Sequence, residues 1–228
     1  CNKKFKTHHT KCPKCNRWNS FIEKDTVTMS DDEPELLSDI EVGKIEKISS
    51  GNKEIDYVLD GGYVPGAVYL ISGEPGIGKS TLLAQICKNR AKEEDLTYYF
   101  SAEESKEQVA GRMKRLGIDG PVFLSGFNDW MRIEEAILMD CPSLVVIDSI
   151  STISIGEGDK GSAASAKEIA ASAGKIAEMQ RIPIFIIAHI TKDGGIAGPK
   201  ALEHQVDGVL QFDSDRKTDL RVLRKKKN

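Results

Sequence analysis

No stretch of the 228 residues approaches the roughly 18 consecutive apolar positions that a membrane-spanning helix needs, so no span is expected. A charged leader followed by an apolar core is also missing, so no secretory signal is read. Cysteine is scarce: there are five, with Cys1, Cys12 and Cys15 near the N-terminus, and Cys87 and Cys141 alone in apolar surroundings. That odd count and uneven spacing exclude a secreted disulfide framework and point to a reducing, cytoplasmic setting. Net charge is only −3, so a nucleic-acid partner would have to be met by a local basic surface. The run Arg221, Arg224, Lys225, Lys226, Lys227 is one such concentration, although runs of this kind are as often merely solvated. No internal repeat or low-complexity tract interrupts the chain. It opens at Cys1 and stops at Asn228 in a basic run, and so reads as part of a longer protein.

Hydrophobic residues at 39% and charged residues at 29% suit a globular domain whose core needs no disulfides. Three regions are read. Residues 1–24 are short, basic and cysteine-bearing. Residues 25–43 are acidic, with Asp31, Asp32, Glu33 and Glu35 around Pro34, and read as a linker with little buried area. Residues 44–228 carry an α/β pattern. Strands are expected at 68–72, 96–100, 122–124, 144–147 and 184–188, and helices at 79–92, 106–116, 130–139 and 163–180. Residues 209–212 and 220–223 look like a closing hairpin. Short apolar strands alternating with helices predict a mainly parallel sheet flanked by helices on both faces.

Gly73-Glu74-Pro75-Gly76-Ile77-Gly78-Lys79-Ser80 matches G-x-x-x-x-G-K-S/T at each defined position, between an expected strand and an expected helix. Glycines let backbone N–H groups curl around phosphate oxygens, and the helix N-terminus that follows points its positive end at the same charge. Lys79 is expected on the β- and γ-phosphates of ATP, with the Ser80 hydroxyl on Mg²⁺ and Thr81 beside it. The alternative is a glycine-rich turn that binds nothing, and the strand–loop–helix context weighs against it.

Three strand ends supply candidate partners. Leu144-Val145-Val146-Ile147-Asp148 is an apolar strand closed by a carboxylate, where such a fold needs an acid for the metal shell, although an Asp there is often only a helix cap. Glu103, the first carboxylate after Tyr98-Tyr99-Phe100, is placed to activate water, with Glu104 as the rival or as a cap for the next helix. His189 follows Ile184–Ala188, where it could contact the γ-phosphate or be a satisfied histidine at a strand end.

These runs resemble a known family. Asn52, Asp56, Leu59, Gly61, Gly62, Pro65 and Gly66 are similar to the entry segment of RecA-superfamily ATPases. Phe100-Ser101-Ala102-Glu103-Glu104-Ser105, His189-Ile190-Thr191-Lys192-Asp193-Gly194, Ile196-Ala197-Gly198-Pro199-Lys200 and Leu202-Glu203-His204-Gln205-Val206-Asp207 resemble segments of the bacterial RadA (Sms) family. Leu223-Arg224-Lys225-Lys226-Lys227-Asn228 is similar to the approach to that family's Lys-Asn-Arg-Phe-Gly motif, whose last three residues are absent here, as is the family's C-terminal protease-like domain. The resemblance implies a RecA-like P-loop ATPase acting in DNA repair and recombination, hexameric on single-stranded DNA, driving branch migration and working with the RecA recombinase. It implies Glu103 as the catalytic glutamate and Lys227 as the residue that reaches a neighbouring subunit's nucleotide.

Cys12-Pro13-Lys14-Cys15 sets two thiolates at metal-ligating spacing, with Cys1 further upstream. Three cysteines are one short of a tetrahedral site. The resemblance implies a fourth before Cys1, completing a zinc-binding knuckle that zinc would fold; His8 or His9 is the substitute, and a redox Cys-x-x-Cys the rival. In a ring, the glycine-bearing segments 155–165 and 192–200 would face the channel, with Lys160, Lys192 and Lys200 as phosphate contacts, or else be ordinary surface loops. Neither segment carries an aromatic, which disfavours base stacking there. Two other readings stand beside the DNA motor: a KaiC-like signalling ATPase that ignores DNA, and a zinc-dependent scaffold with a vestigial nucleotide site.

Overall fold

The computed structural model describes residues 36, 38, 46–91, 95–156, 160–189, 202–215 and 220–227. The chain divides into two compact units, Cys1–Lys44 and Ile45–Asn228, and the fold below is that of the second. The zinc knuckle expected over 1–24 lies outside the described residues, as does the linker over 25–43 apart from Leu36 and Ser38.

Among the described residues seven strands make one sheet: β1 (Val68–Gly73), β2 (Thr97–Ser101), β3 (Val122–Ser125), β4 (Leu144–Asp148), β5 (Ile184–His189), β6 (Gly208–Asp215) and β7 (Leu220–Lys227). Their order is β3-β2-β4-β5-β1-β6-β7, with every neighbouring pair parallel except β6 and β7. The helices are α1 (Lys53–Val58), α2 (Lys79–Ala91), α3 (Lys106–Arg115), α4 (Trp130–Asp140) and α5 (Ala163–Gln180). The expected α/β class, with its mainly parallel sheet, is therefore the observed one.

Because strand side chains alternate, the central strands feed two cores. Tyr69 and Ile71 of β1, Val146 of β4 and Phe185 and Ile187 of β5 pack against Leu83, Ile86 and Cys87 of α2 and Val109 and Met113 of α3. Leu70, Val145, Ile147, Ile184 and Ile186 pack on the other face against Trp130, Ile133 and Ile137 of α4 and the small residues Ala166, Ala170, Ala173 and Ala177 of α5. Local sequence sets the helix starts. Asn52, Ser105, Asp129 and Ser162 each accept a first-turn backbone N–H at the N-caps of α1, α3, α4 and α5. Gln108 completes a capping box with Ser105. Glu104, weighed above as the cap of α3, is therefore not that cap; Ser105 is.

Three expectations change. Strands β1, β2, β3, β4 and β5 each run one residue past their expected end, because parallel pairing continues through Gly73↔His189, Ser101↔Asp148 and Phe100↔Ser125. The closing hairpin is longer than expected, since β7 is a largely exposed edge strand whose basic residues mask its pairing. Cys141 is exposed rather than in apolar surroundings: it ends α4 in a left-handed conformation, its Sγ 3.3 Å from Gln180 Oε1. Cys87 is buried, and burial pushes its thiol up to about 12.

The entry segment proves to be architectural. Asn52 caps α1, Asp56 accepts from Ser49 and Ser50, and Leu59 is buried. Gly62 has φ 137, and a β-carbon there would meet the Ile48 carbonyl oxygen at 2.3 Å. The central aromatic is Phe185, fully buried, stacked 5.0 Å from Tyr69 and edge-on 5.5 Å from Tyr63. Phe185→Ala should cost about 3–5 kcal/mol in denaturant unfolding. Tyr57→Ala, at a largely exposed position, should stay within about 0.5 kcal/mol.

Candidate functional site

Parallel strands bring their C-terminal ends to one edge of the sheet, where an open α/β fold binds ligands. Here that edge holds Gly73 from β1, Asp148 from β4 and His189 from β5, with Glu103 two residues beyond β2. The loop 74–78 joins β1 to α2, which begins at Lys79. Gly76 and Gly78 take φ 77 and 113, conformations that L side chains rarely adopt. Gly73 passes so close to β6 that a β-carbon would lie 2.4 Å from the Phe212 carbonyl oxygen. Glu74, Pro75 and Gly76 are exposed, Ile77 is buried, and Ser80 and Thr81 stand half-buried in the first turn of α2. A helix start of this kind leaves N–H groups directed at whatever fills the loop.

Lys79 is buried, and its Nζ donates to the carbonyl oxygens of Gly73 at 2.8 Å and Glu74 at 2.9 Å. Burial lowers its pKa, opposed by the charges of Asp148 and Glu103. The ammonium thus lies within the field of both acids expected to share the site with it.

Asp148 is buried, and the phenol of Tyr99 donates to its Oδ2 at 2.6 Å. Burial and the adjacent carboxylate raise the Tyr99 pKa well above its ordinary value, so the phenol keeps its proton and remains a donor. Glu103 is gripped from two sides. His189 Nε2 lies 3.1 and 3.2 Å from its two oxygens, and Ser149 Oγ donates to Oε1. Ser149 Oγ also lies 2.6 Å from Ser151 Oγ. The His189 contact, followed by that of Ser149 and the charge of Lys79, holds the Glu103 carboxyl down at about 2 against the opposing effect of burial. The nearest ligand atoms of Glu103, Asp148 and His189 lie within 4.8 Å of one another. Two carboxylates on that scale, one buried, offer the hard oxygen donors that Mg²⁺ takes; the imidazole suits it less. Asp148 with Ser80 would hold the ion against a bound triphosphate, and the ion would neutralise charge developing on the phosphates.

Glu104 points elsewhere, its carboxylate paired with Arg112 Nη1 at 2.6 and 2.7 Å on α3. Geometry therefore brings Glu103, and not Glu104, to Lys79, Asp148 and His189. Lys227 lies away from this cluster in its contacts: its Nζ donates to the carbonyls of Val206 at 2.6 Å and Glu203 at 2.8 Å within its own chain. To reach a neighbour's nucleotide it would have to leave both. Lys160 is exposed just before α5, while Lys192, Lys200, Cys1, Cys12 and Cys15 lie outside the described residues. Sequence reasoning missed Tyr99 and Ser149. The paired tyrosines of β2 were the available signal, because a buried phenol needs an acceptor.

The family described as "ATPase: KaiC" matches residues 48–123. Curated proteins called "DNA repair protein RadA" are similar over 96% of the chain: that of Halalkalibacterium halodurans at 40% identity, of Helicobacter pylori at 39% and of Bacillus subtilis at 38%. The chain spans about half the length of these relatives, 51%, 52% and 51% respectively. A solved KaiC-like protein from Pyrococcus horikoshii superposes with a TM-score of 0.67 at 20% identity, covering 80% of this chain and 88% of its own, so the two share a fold.

Tyr99→Phe should cost about 1–3 kcal/mol in denaturant unfolding, since it strips a buried carboxylate oxygen of its donor. The Glu103 grip predicts a pH signature as well. A carboxyl whose folded pKa lies below its ordinary value of 4.5 contributes stability above that value and loses it as pH falls toward about 2. The stability gap between wild type and Glu103→Gln should be level above about pH 4.5 and close below it; a gap independent of pH would contradict the grip.

Proposed function

We propose that this chain, which over nearly its whole length belongs with the bacterial RadA proteins of the RecA superfamily, is the core of an ATP-driven DNA motor. Its site binds ATP with Mg²⁺ and hydrolyses it, and the cycle alters a grip on single-stranded DNA in repair and recombination. The observation that carries the reading is the contact of His189 with both oxygens of Glu103. His189 is the last residue of β5, and the chain continues from it into the segment that holds Lys192 and Lys200. A change at Glu103 on binding or hydrolysis would therefore be felt at the root of that segment.

In this reading Lys79 and the loop N–H groups hold the β- and γ-phosphates, Asp148 and Ser80 hold the metal, and Glu103 orients the attacking water. Glu103 acts once His189 and Ser149 release it, because a carboxylate poised near 2 is a weak base. Assembly as a hexamer with hydrolysis at subunit interfaces, branch migration, partnership with the RecA recombinase, and zinc at Cys1, Cys12 and Cys15 belong to the same proposal. That the relatives are called DNA repair proteins supports its repair half. The match of residues 48–123 to "ATPase: KaiC" favours the second reading, a signalling ATPase that ignores DNA.

Fluorescence anisotropy with single-stranded DNA separates the two. Binding that depends on ADP or ATP and vanishes in Lys79→Ala supports the motor. No binding in any nucleotide state of the full-length protein favours the signalling ATPase. Glu103→Gln should retain ATP while turnover falls by about 10²- to 10⁴-fold. His189→Ala should abolish DNA stimulation of turnover, and intact stimulation would remove the coupling.

A further inference from the structure

We propose that Arg221 is a nucleotide-binding residue that reaches from β7 to the phosphates held by the Gly73–Ser80 loop of the same chain. The proposal rests on the reading of that loop as a nucleotide site. Its first support is the space above Gly78. Glycine in such a loop keeps open the volume that a phosphate needs for close approach to the backbone. A β-carbon on Gly78 would come within 3.0 Å of Arg221 Nη1 and 3.7 Å of the Phe212 ring. The guanidinium therefore stands at the edge of the volume that the glycine leaves free.

Topology gives the second support, independently of side-chain placement. β6 lies beside β1 with Gly73 level with Phe212, and β7 returns beside β6 with Arg221 level with Ser214. Ser214 is two residues beyond Phe212, about 7 Å further along the sheet. That carries Arg221 past the end of β1, to the height of the phosphate loop.

The third support is what three of the other four cations of β7 are doing, Lys226 being exposed and likewise without a hydrogen bond or ion pair to a described residue. Arg224 faces Asp213 at 4.0 Å, Lys225 pairs with Asp60, and Lys227 binds the carbonyls of Glu203 and Val206. Arg221 has no hydrogen bond or ion pair with any described residue. A guanidinium left without a partner beside a phosphate loop has the planar donor fork that matches phosphate oxygens. The ligand class is a nucleoside di- or triphosphate. The contact is made within one chain, so it forms in an isolated protomer, unlike the role expected of Lys227.

The test is equilibrium titration of a fluorescent ADP analogue, with Mg²⁺, against wild type, Arg221→Ala, Arg221→Lys and Lys79→Ala at low protein concentration. Arg221→Ala should weaken binding about tenfold or more. Arg221→Lys should recover part of the loss, because it keeps the charge and loses the fork. Thermal denaturation without nucleotide should not distinguish Arg221→Ala from wild type, as the side chain is exposed; if it does, Arg221→Lys carries the comparison alone. Unchanged affinity in Arg221→Ala overturns the proposal. So does tighter binding, which would make Arg221 an obstruction to be displaced. Loss of binding in Lys79→Ala with none in Arg221→Ala sinks this proposal and leaves the nucleotide site standing. No binding by wild type sinks the nucleotide reading itself.

Discussion

The parallel register of β1, β2, β4 and β5 is the constraint on which the site depends. Ser101 lies level with Asp148, and Gly73 with His189. Strands so aligned end together, and β2, β4 and β5 end on the polar residues Ser101, Asp148 and His189. Slipping one strand by a residue would turn Asp148 toward α4 and α5 and away from the Tyr99 phenol, since alternate positions face opposite cores. The two cores therefore do more than stabilise the sheet. Phe185 and Val146 on one face and Ile147 and Ile186 on the other hold the register that brings Lys79, Asp148, Glu103 and His189 into one field.

Within that field each strong group has a partner from the protein itself. Lys79 is bound by loop carbonyls, Asp148 by Tyr99, and Glu103 by His189 and Ser149. Such internal satisfaction is what buried charge requires. In the proposed reading it also defines what nucleotide would do on arrival: phosphate oxygens would take Lys79 from the carbonyls, and Glu103 would have to be freed before acting on water. Asp148 needs no such exchange, because Tyr99 occupies one of its oxygens and leaves the other. The acids thus divide the work by their partners, one fixed in place and one held back.

The strands and helices were largely legible because apolar runs of four or five residues mark central parallel strands, and the loop 73–80 announces its own context. The strand ends were not, since pairing through Gly73, Asp148 and His189 leaves no hydrophobic trace. Helix α1 was missed for the opposite reason: a single turn and a half, capped by Asn52, has too few positions for a period. Glu103 and Glu104 could be ranked by distance from the strand, yet only the Arg112 pairing settles where Glu104 goes. Tyr99 and Ser149 escaped notice because their roles lie in contacts between separate strand ends. Arg221 sat in a basic run whose members look alike in sequence and are separated only by where β7 places them.

The most direct test of the central claim is a crystal structure of the chain with ADP, Mg²⁺ and aluminium fluoride. The β-phosphate is expected in the loop 73–80 with Lys79 drawn off the Gly73 and Glu74 carbonyls, Mg²⁺ between Ser80 and Asp148, and Glu103 turned toward the fluoride. Nucleotide bound elsewhere, or bound in the loop while Lys79 stays on its two carbonyls and Glu103 stays on His189, would contradict it.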